Sequence, residues 1–322
     1  MIRAAAGRLT GKVRQTPLLN SAEIDAMAGR RVFVKPECLQ HTGSFKYRGA
    51  LSAISALSDD QLARGVIAYS SGNHAQGIAL AAKQFGTSAV IIMPKDAPRM
   101  KIENTRAFGG ETVLYDRPGG EDRDAIGRAL AEERGLTMIK PFDEPQVIAG
   151  QGTCGLEIAA QARTEGIQKA DVIVCCGGGG FASGIALALE AEAPGLRVRP
   201  AEPARFDDMA RSLASGTRVS NAELSGSLCD AIISPTPGEI TFPILHKRAG
   251  PGLVVTDDEA LQAMAVAFNH LKVVAEPGGA VALASVLFRA DEIDGDTVII
   301  TISGGNVDAE VYQMALQKYG AA

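Results

Sequence analysis

The chain has 322 residues, a length that suggests one large domain or two closely packed ones. Hydrophobic residues make up 46% and charged residues 21%, so the chain can bury a sizeable core. A net charge of −5 without a long basic run argues against nucleic acid as a partner. No apolar run is long enough for a membrane span or a signal peptide, and the five cysteines form no CxxC pair. We therefore expect a cytoplasmic protein with reduced cysteines.

Short apolar runs alternate with longer helical patterns, which is typical of a parallel sheet with crossover helices. Lys46 stands where an amphipathic helix begins, and a compact α/β block follows it. In this block we predict strands at 66–69, 89–93, 111–115 and 137–139, with helices at 73–84, 99–108 and 121–134. Beyond it we predict helices at 146–163 and 181–192, with strands at 171–175, 196–201 and 297–302.

The order of these elements predicts a domain insertion. Lys46 precedes the first α/β block, and the loops that could act with it lie mostly beyond that block. We therefore predict a small domain at 56–144, inserted into a larger domain formed by 1–55 and 145–322.

Lys46 lies in a loop of small residues, Thr42-Gly43-Ser44-Phe45-Lys46. Far downstream, a buried strand ends in the glycine run Gly177–Gly180, and a helix follows. The N–H groups of such a turn can bind a phosphate. The spacing is not GxGxxG, and no acidic residue stands at the usual ribose distance, which disfavours NAD. A lone amine with a distant phosphate cradle suggests a Schiff-base lysine for pyridoxal phosphate.

Two further loops carry polar residues where predicted strands end. Ser70-Ser71-Gly72-Asn73-His74 could hold a carboxylate at a helix N-terminus, although an ordinary helix cap is the simpler reading of any single serine. Ser303-Gly304-Gly305-Asn306 follows the late buried strand. Because ligands gather at the carboxyl ends of parallel strands, we expect these loops and the glycine run to face one crevice.

An acidic segment, Glu202-Pro203-Ala204-Arg205-Phe206-Asp207-Asp208, follows another predicted strand. Its carboxylates could bind a hard cation together with a backbone carbonyl and waters. From the residues alone, a capping and solvation cluster is the favoured alternative.

In combination these motifs resemble the fold-type II pyridoxal phosphate enzymes of the serine/threonine dehydratase, serine racemase and 3-hydroxyaspartate dehydratase family. Ala149-Gly150-Gln151-Gly152-Thr153 adds to the resemblance, which extends from about Thr16 to Asp308. It implies an α/β, tryptophan-synthase-β-like fold with two open, twisted, mostly parallel sheets. Relatives that make cysteine or tryptophan use different residues around the lysine and the serine loop.

The resemblance also implies a role for individual residues. Lys46 would form the Schiff base and shuttle the Cα proton, while Ser71 would lie on the opposite ring face as a second base. Phe45 would pack on the cofactor ring, Asn73 would bind its 3-oxygen, and Ser303 would face the pyridine nitrogen as a hydroxyl, giving a weak electron sink. The phosphate would be held by Gly177, Gly178, Gly179, Gly180 and Phe181. The substrate would be held by Ser70, Ser71, Gly72, Asn73, His74, Arg123 and Ser234.

In the racemase-like branch the acidic segment binds a divalent cation, Mg²⁺, Mn²⁺ or Ca²⁺. The matching positions are Glu202, the Phe206 carbonyl and Asp208. Arg123 could equally be a helix-surface charge, but it and Ser234 match positions that contact a dicarboxylate ligand in that branch. The segment 235–239 departs from the racemase pattern.

We therefore expect β-elimination from 3-hydroxyaspartate, threonine or serine to a 2-oxo or imino acid, water and ammonia. One alternative is an amino acid racemase on the same scaffold, which Ser71 would permit. Another is a catalytically silent amino-acid sensor, against which the intact Lys46 argues. The family and base rates favour a homodimer.

Overall fold

A computed structural model describes residues 1–70, 72–97, 99–116 and 119–320. Among these residues the named strands pair in parallel within two sheets. The strands are β1 Arg31–Pro36, β2 Val66–Tyr69, β3 Ala89–Pro94, β4 Glu111–Tyr115, β5 Thr137–Met138, β6 Ala170–Cys175, β7 Leu196–Pro203, β8 Leu253–Val255 and β9 Thr297–Ile302.

The larger sheet has the order β1-β9-β6-β7-β8 and the smaller one β4-β3-β2-β5. Strands β3 and β6 are buried along their whole length, because helices cover both faces of their sheets. This burial explains why β3 is a continuous apolar run and why β6 is apolar apart from Asp171. The expected α/β fold with two mostly parallel sheets is confirmed.

Helices connect the strands and cover the sheets. In the described part of the chain they are α1 Ile2–Leu9, α2 Ala22–Ala28, α3 Lys46–Ile54, α4 Asp59–Arg64, α5 Asn73–Gln84, α6 Arg99–Ala107, α7 Arg123–Arg134, α8 Pro145–Thr164, α9 Gly180–Glu192, α10 Asp208–Ser215, α11 Thr241–Arg248, α12 Asp257–Val266, α13 Pro277–Phe288 and α14 Ala309–Tyr319. Short 3₁₀ turns cover Glu37–Leu39, His41–Gly43, Asp230–Ile232 and Ala290–Glu292, and a π-helix covers Ala267–Leu271. The predicted helices and strands of 66–192 match these bounds to within about two residues.

The large sheet separates two apolar cores. One core contains residues of α12 and α13, and the other contains residues of α8 and α9. Cys175 belongs to the first core and Cys176 to the second, so the adjacent cysteines face opposite sides of the sheet. All five cysteines are free thiols.

Helix α3, which carries Lys46 at its first position, differs from the prediction. It is not amphipathic in the structure, since every residue from Tyr47 to Ile54 is buried. Arg48 is fully buried and pairs with Glu37 at 2.7 Å and with Glu157 at 2.6 Å. These two carboxylates neutralise the guanidinium, which allows a charged residue inside the core. The ion pairs tie α3 to the segment after β1 and to α8.

All strands of the smaller sheet fall inside 56–144, the range predicted for the inserted domain. The exact domain boundaries stay a prediction. Within the described residues, no helix is both long and apolar enough to cross a bilayer.

Candidate active site

Lys46 lies beside a cavity of about 360 Å³ between the carboxyl ends of the two sheets. Its position is set by the preceding residues, because Ser44 forms an antiparallel bridge with Gly304 and the Phe45 N–H donates to the Ser303 carbonyl at 3.1 Å. The Lys46 Nζ donates to the Pro141 carbonyl at 3.0 Å. Desolvation lowers the pKa of Lys46 to about 8, although the negative charge of Glu276 opposes the shift. The amine is therefore neutral far more often than a surface lysine.

The glycine turn between β6 and α9 forms one wall of this region. Gly178 and Gly179 have φ angles of +72° and +94°, which side chains rarely adopt. A Cβ atom at Gly178 would lie 2.5 Å from the Phe142 ring. Helix α9 has no side-chain cap at its N-terminus, so its first N–H groups stay available to an anion. The turn thus has the geometry of a phosphate cradle.

The two aromatic residues assigned to the cofactor lie together. The rings of Phe45 and Phe181 stack with centroids 4.0 Å apart and an interplanar angle of 13°. A small second cavity, lined by both rings, by Lys46 and by the glycine turn, joins the lysine to the cradle. The structure therefore brings together the predicted lysine, aromatic rings and glycines.

The serine loop lines the larger cavity through Ser70, Gly72, Asn73 and His74. Ser71, the predicted second base, lies outside the described residues. Helix α5 begins at Asn73 without a side-chain cap, which leaves its N-terminus suited to a carboxylate. Burial lowers the pKa of His74 to about 3, and its Nε2 lies 3.1 Å from the Ile139 carbonyl, so this ring is neutral.

Asn73 is held in a chain of side-chain hydrogen bonds. Its Nδ2 donates to Glu276 Oε1 at 2.6 Å, and its Oδ1 accepts from Asn306 Nδ2 at 2.7 Å. Burial raises the pKa of Glu276 to about 7, against the lowering effect of the Lys101 charge. Glu276 is thus a carboxyl group that titrates near neutrality beside the site.

Ser303 directly follows β9 and is buried. Its backbone is fixed on both sides, since its carbonyl accepts from Phe45 and its N–H donates to the Gly279 carbonyl at 3.3 Å. The assignment of Ser303 to the pyridine nitrogen stays a prediction.

Cationic side chains line much of the cavity. Arg123 lies with its guanidinium 4.5 Å from the centroid of the Tyr69 ring, and Ser234 lines the same cavity as Arg123. Lys101 and Lys140 also line the cavity, and Lys101 pairs with Asp230 at 2.8 Å. Sequence reasoning missed these two lysines, because a single lysine on a charged helix or loop carries no pattern.

The proposed cation ligands Glu202 and Asp208 are both buried at the end of β7 and the start of α10. Glu202 accepts N–H bonds from Met209 at 3.1 Å and Ala210 at 2.7 Å, so it caps α10. Burial raises the pKa of both carboxyl groups, and the Asp208 charge adds to the effect on Glu202. Asp208 Oδ2 is buried without a hydrogen-bond partner among the described residues.

Phe206 lies between these carboxylates in the chain and has a fully buried ring. Arg205 before it has a φ angle of +72°, which marks a tight turn. Among the described residues no group of three or more His, Cys, Asp or Glu side chains forms a metal cluster. A cation at this place would therefore need carbonyl or water ligands beside the two carboxylates.

The segment 235–239, which departs from the racemase pattern, packs against the glycine turn. The Gly238 N–H donates to the Gly178 carbonyl at 3.2 Å, and the Thr241 hydroxyl donates to the same oxygen. Asp143 accepts the N–H groups of Glu239 at 3.1 Å and Ile240 at 2.8 Å. These contacts hold the segment against the glycine turn between β6 and α9.

Comparison with known proteins identifies the family. A model described as pyridoxal-phosphate dependent enzyme matches residues 9–304. The L-threo-3-hydroxyaspartate ammonia-lyase of a Pseudomonas species is 42% identical, over 97% of this chain and 96% of that protein. The protein of the same name from Saccharomyces cerevisiae is 40% identical, over 96% and 93%.

Solved structures agree with this result. A threonine deaminase from the organism abbreviated T.th. superposes with a TM-score of 0.89 at 42% identity, covering 95% of this chain and 97% of the other. Maize serine racemase superposes with a TM-score of 0.90 at 37% identity, covering 98% and 96%. On the match to residues 9–304 and these identities, the chain belongs to the pyridoxal-phosphate dependent enzyme family.

Proposed function

We propose that the chain is an ammonia-lyase that eliminates water from a small β-hydroxy amino acid and releases a 2-oxo acid and ammonia. The observation that carries this proposal is that Lys46 and the serine loop line the same cavity. Two relatives named L-threo-3-hydroxyaspartate ammonia-lyase, at 42% and 40% identity, and an L-threonine ammonia-lyase from Thermotoga maritima, at 38%, support it.

The residues present fit pyridoxal phosphate. Lys46 supplies a partly deprotonated amine, and the uncapped N-terminus of α9 with the Gly177–Gly180 turn supplies N–H donors for a phosphate. When bound, the cofactor supplies an aldehyde for the lysine and a ring that takes up the electron pair left at Cα.

The chain's own residues then position the substrate and move its proton. The N-terminus of α5, which begins at Asn73 without a side-chain cap, binds the α-carboxylate through backbone N–H groups. The neutral Lys46 amine accepts the Cα proton. The protonated Lys46 amine returns this proton to the β-hydroxyl group, which leaves as water, and hydrolysis of the released imino acid gives the 2-oxo acid and ammonia.

Within this class 3-hydroxyaspartate is the proposed preferred substrate. Lys101, Arg123 and Lys140 give the cavity wall a positive excess over the carboxylates of Asp143 and Asp230. A second carboxylate on the substrate would bind these cationic side chains, whereas serine and threonine have no such group. Steady-state kinetics on the three amino acids test the proposal. Equal or better activity on threonine, unaffected by Arg123→Ala, would overturn the substrate assignment.

Racemisation is the second candidate, because relatives of 37% and 38% identity are named serine racemase. Both reactions begin with removal of the Cα proton, and a racemase returns a proton to the opposite face. Incubation with one enantiomer separates the two reactions. Loss of optical activity without oxo-acid formation would favour the racemase.

We further propose that the buried pair Glu202 and Asp208 binds a divalent cation such as Mg²⁺, Mn²⁺ or Ca²⁺. Asp208 Oδ2, which has no hydrogen-bond partner in the described part of the chain, and the raised pKa of both carboxyl groups support this site, since a cation would relieve their mutual repulsion. The role of the cation would be structural or activating.

We also propose that the protein is a homodimer, which size-exclusion chromatography with light scattering tests.

A further inference from the structure

An ion pair bridges the cavity between the two sheets. Lys101 of α6 donates to Asp230 Oδ2 at 2.8 Å, and Asp230 begins the 3₁₀ turn Asp230–Ile232 beside the large sheet. Both residues line the cavity that contains Lys46 and the serine loop. Neither residue has a role in the proton transfer described above.

The two partners of this pair differ strongly in exposure. The Lys101 side chain is 4% exposed, whereas the Asp230 side chain is 47% exposed. A buried ammonium needs an anion at all times, because an unpaired buried charge is costly. A half-exposed carboxylate can return to water at little cost. The pair is therefore asymmetric, since Lys101 must keep a carboxylate and Asp230 can leave.

Lys101 also lies where the substrate is expected. A Cβ atom built at Gly72, in the middle of the serine loop, would lie 3.6 Å from Lys101 Nζ. If the serine loop holds the α-carboxylate, the ammonium is within reach of a group attached at Cβ of the same substrate. The second negative neighbour, Glu276, is buried and acts on Lys101 through space.

From this arrangement we propose that Lys101 is the specificity-determining cation for a second substrate carboxylate, and that Asp230 occupies its place until the substrate binds. The inference rests on the proposed β-elimination and names the feature that selects a dicarboxylic amino acid. On binding, the β-carboxylate of 3-hydroxyaspartate replaces Asp230 on Lys101, and Asp230 turns to solvent. With serine or threonine no exchange occurs, and Asp230 stays paired.

The exchange predicts opposite effects for the two partners. Lys101→Met removes the cation, so kcat/KM for 3-hydroxyaspartate should fall by about 100-fold, while kcat/KM for serine should fall by less than about fivefold. Asp230→Asn removes the competing carboxylate, so the ratio of the two kcat/KM values should rise by about fivefold in favour of 3-hydroxyaspartate. Lys101→Arg keeps the charge and should retain most of the preference.

A matched control lies on the same helix. Arg99 pairs with Glu103, and both side chains are exposed, so Arg99→Met breaks an ion pair of α6 away from the cavity. This variant should leave the ratio of the two kcat/KM values unchanged. Thermal unfolding and cofactor absorbance show that each variant is folded and loaded.

Binding of succinate, the four-carbon dicarboxylate, tests the inference without turnover. By calorimetry on the cofactor-loaded protein, its Kd should rise at least tenfold in Lys101→Met and fall about fivefold in Asp230→Asn, while butyrate binds all variants alike. If the ion pair is purely structural, both variants should instead lower kcat/KM for 3-hydroxyaspartate and for serine by the same factor. That result would overturn the inference. If wild-type protein eliminates no β-hydroxy amino acid, the proposed function fails, and succinate binding still decides the role of Lys101.

Discussion

The pKa of Lys46 makes a quantitative prediction about cofactor capture. Only a neutral amine attacks the cofactor aldehyde. Lowering the pKa from 10.5 to about 8 raises the neutral fraction at pH 7 from roughly one in 3,000 to about one in ten. Lys46 should therefore react about 300-fold faster at pH 7 than a surface lysine of equal access.

The assay follows the absorbance of the Schiff base as apoprotein captures pyridoxal phosphate at a series of pH values. We expect the second-order rate constant to rise about tenfold per pH unit below pH 8 and to level off above it. Because the Glu276 charge raises the pKa of Lys46, Glu276→Gln should move the inflection to lower pH. Glu310→Gln, at an exposed position, is the control and should not move it. An inflection near pH 10.5, or an upward shift in Glu276→Gln, would refute the reasoning.

Three further predictions concern the loops around the site. Gly178→Ala places a side chain at positive φ against the Phe142 ring, so it should weaken cofactor binding and cost about 1–3 kcal/mol of stability, measured by cofactor titration and urea unfolding. Asp143→Ala removes the acceptor for the Glu239 and Ile240 N–H groups just before α11 and should lower the free energy of unfolding by about 1–2 kcal/mol. Unchanged stability would show that Asp143 does not anchor this segment. Asp208→Asn should abolish a rise in unfolding temperature that saturating Mg²⁺ produces in wild type, and an equal rise in both proteins would remove the cation site.

The sequence predicted those features whose signals are local. Strands such as β3 are continuous apolar runs, and the glycine run stands directly after β6, so periodicity and turn residues suffice. The three loops could be placed at one crevice because parallel strands end at one edge. The resemblance then assigned a role to Lys46 and its neighbours.

Features that depend on distant partners could not be predicted. Lys101 and Asp230 are 129 residues apart, and neither position has a distinctive pattern around it. The predicted amphipathic helix at Lys46 is instead buried from Tyr47 to Ile54, because Glu157, 109 residues after Arg48, neutralises the Arg48 guanidinium inside the core. Both cases are ion pairs between residues that lie far apart in the chain. The periodicity of a single sequence does not show which distant residues come into contact.

We propose above all that Lys46 accepts the Cα proton in a β-elimination from a small β-hydroxy amino acid. The most direct measurement is the simultaneous release of ammonia and 2-oxo acid when cofactor-loaded protein is given 3-hydroxyaspartate, threonine or serine. We expect equal amounts of both products, released fastest from 3-hydroxyaspartate, and no release by the Lys46→Ala variant. Absence of both products with all three amino acids, or undiminished release by Lys46→Ala, would contradict it.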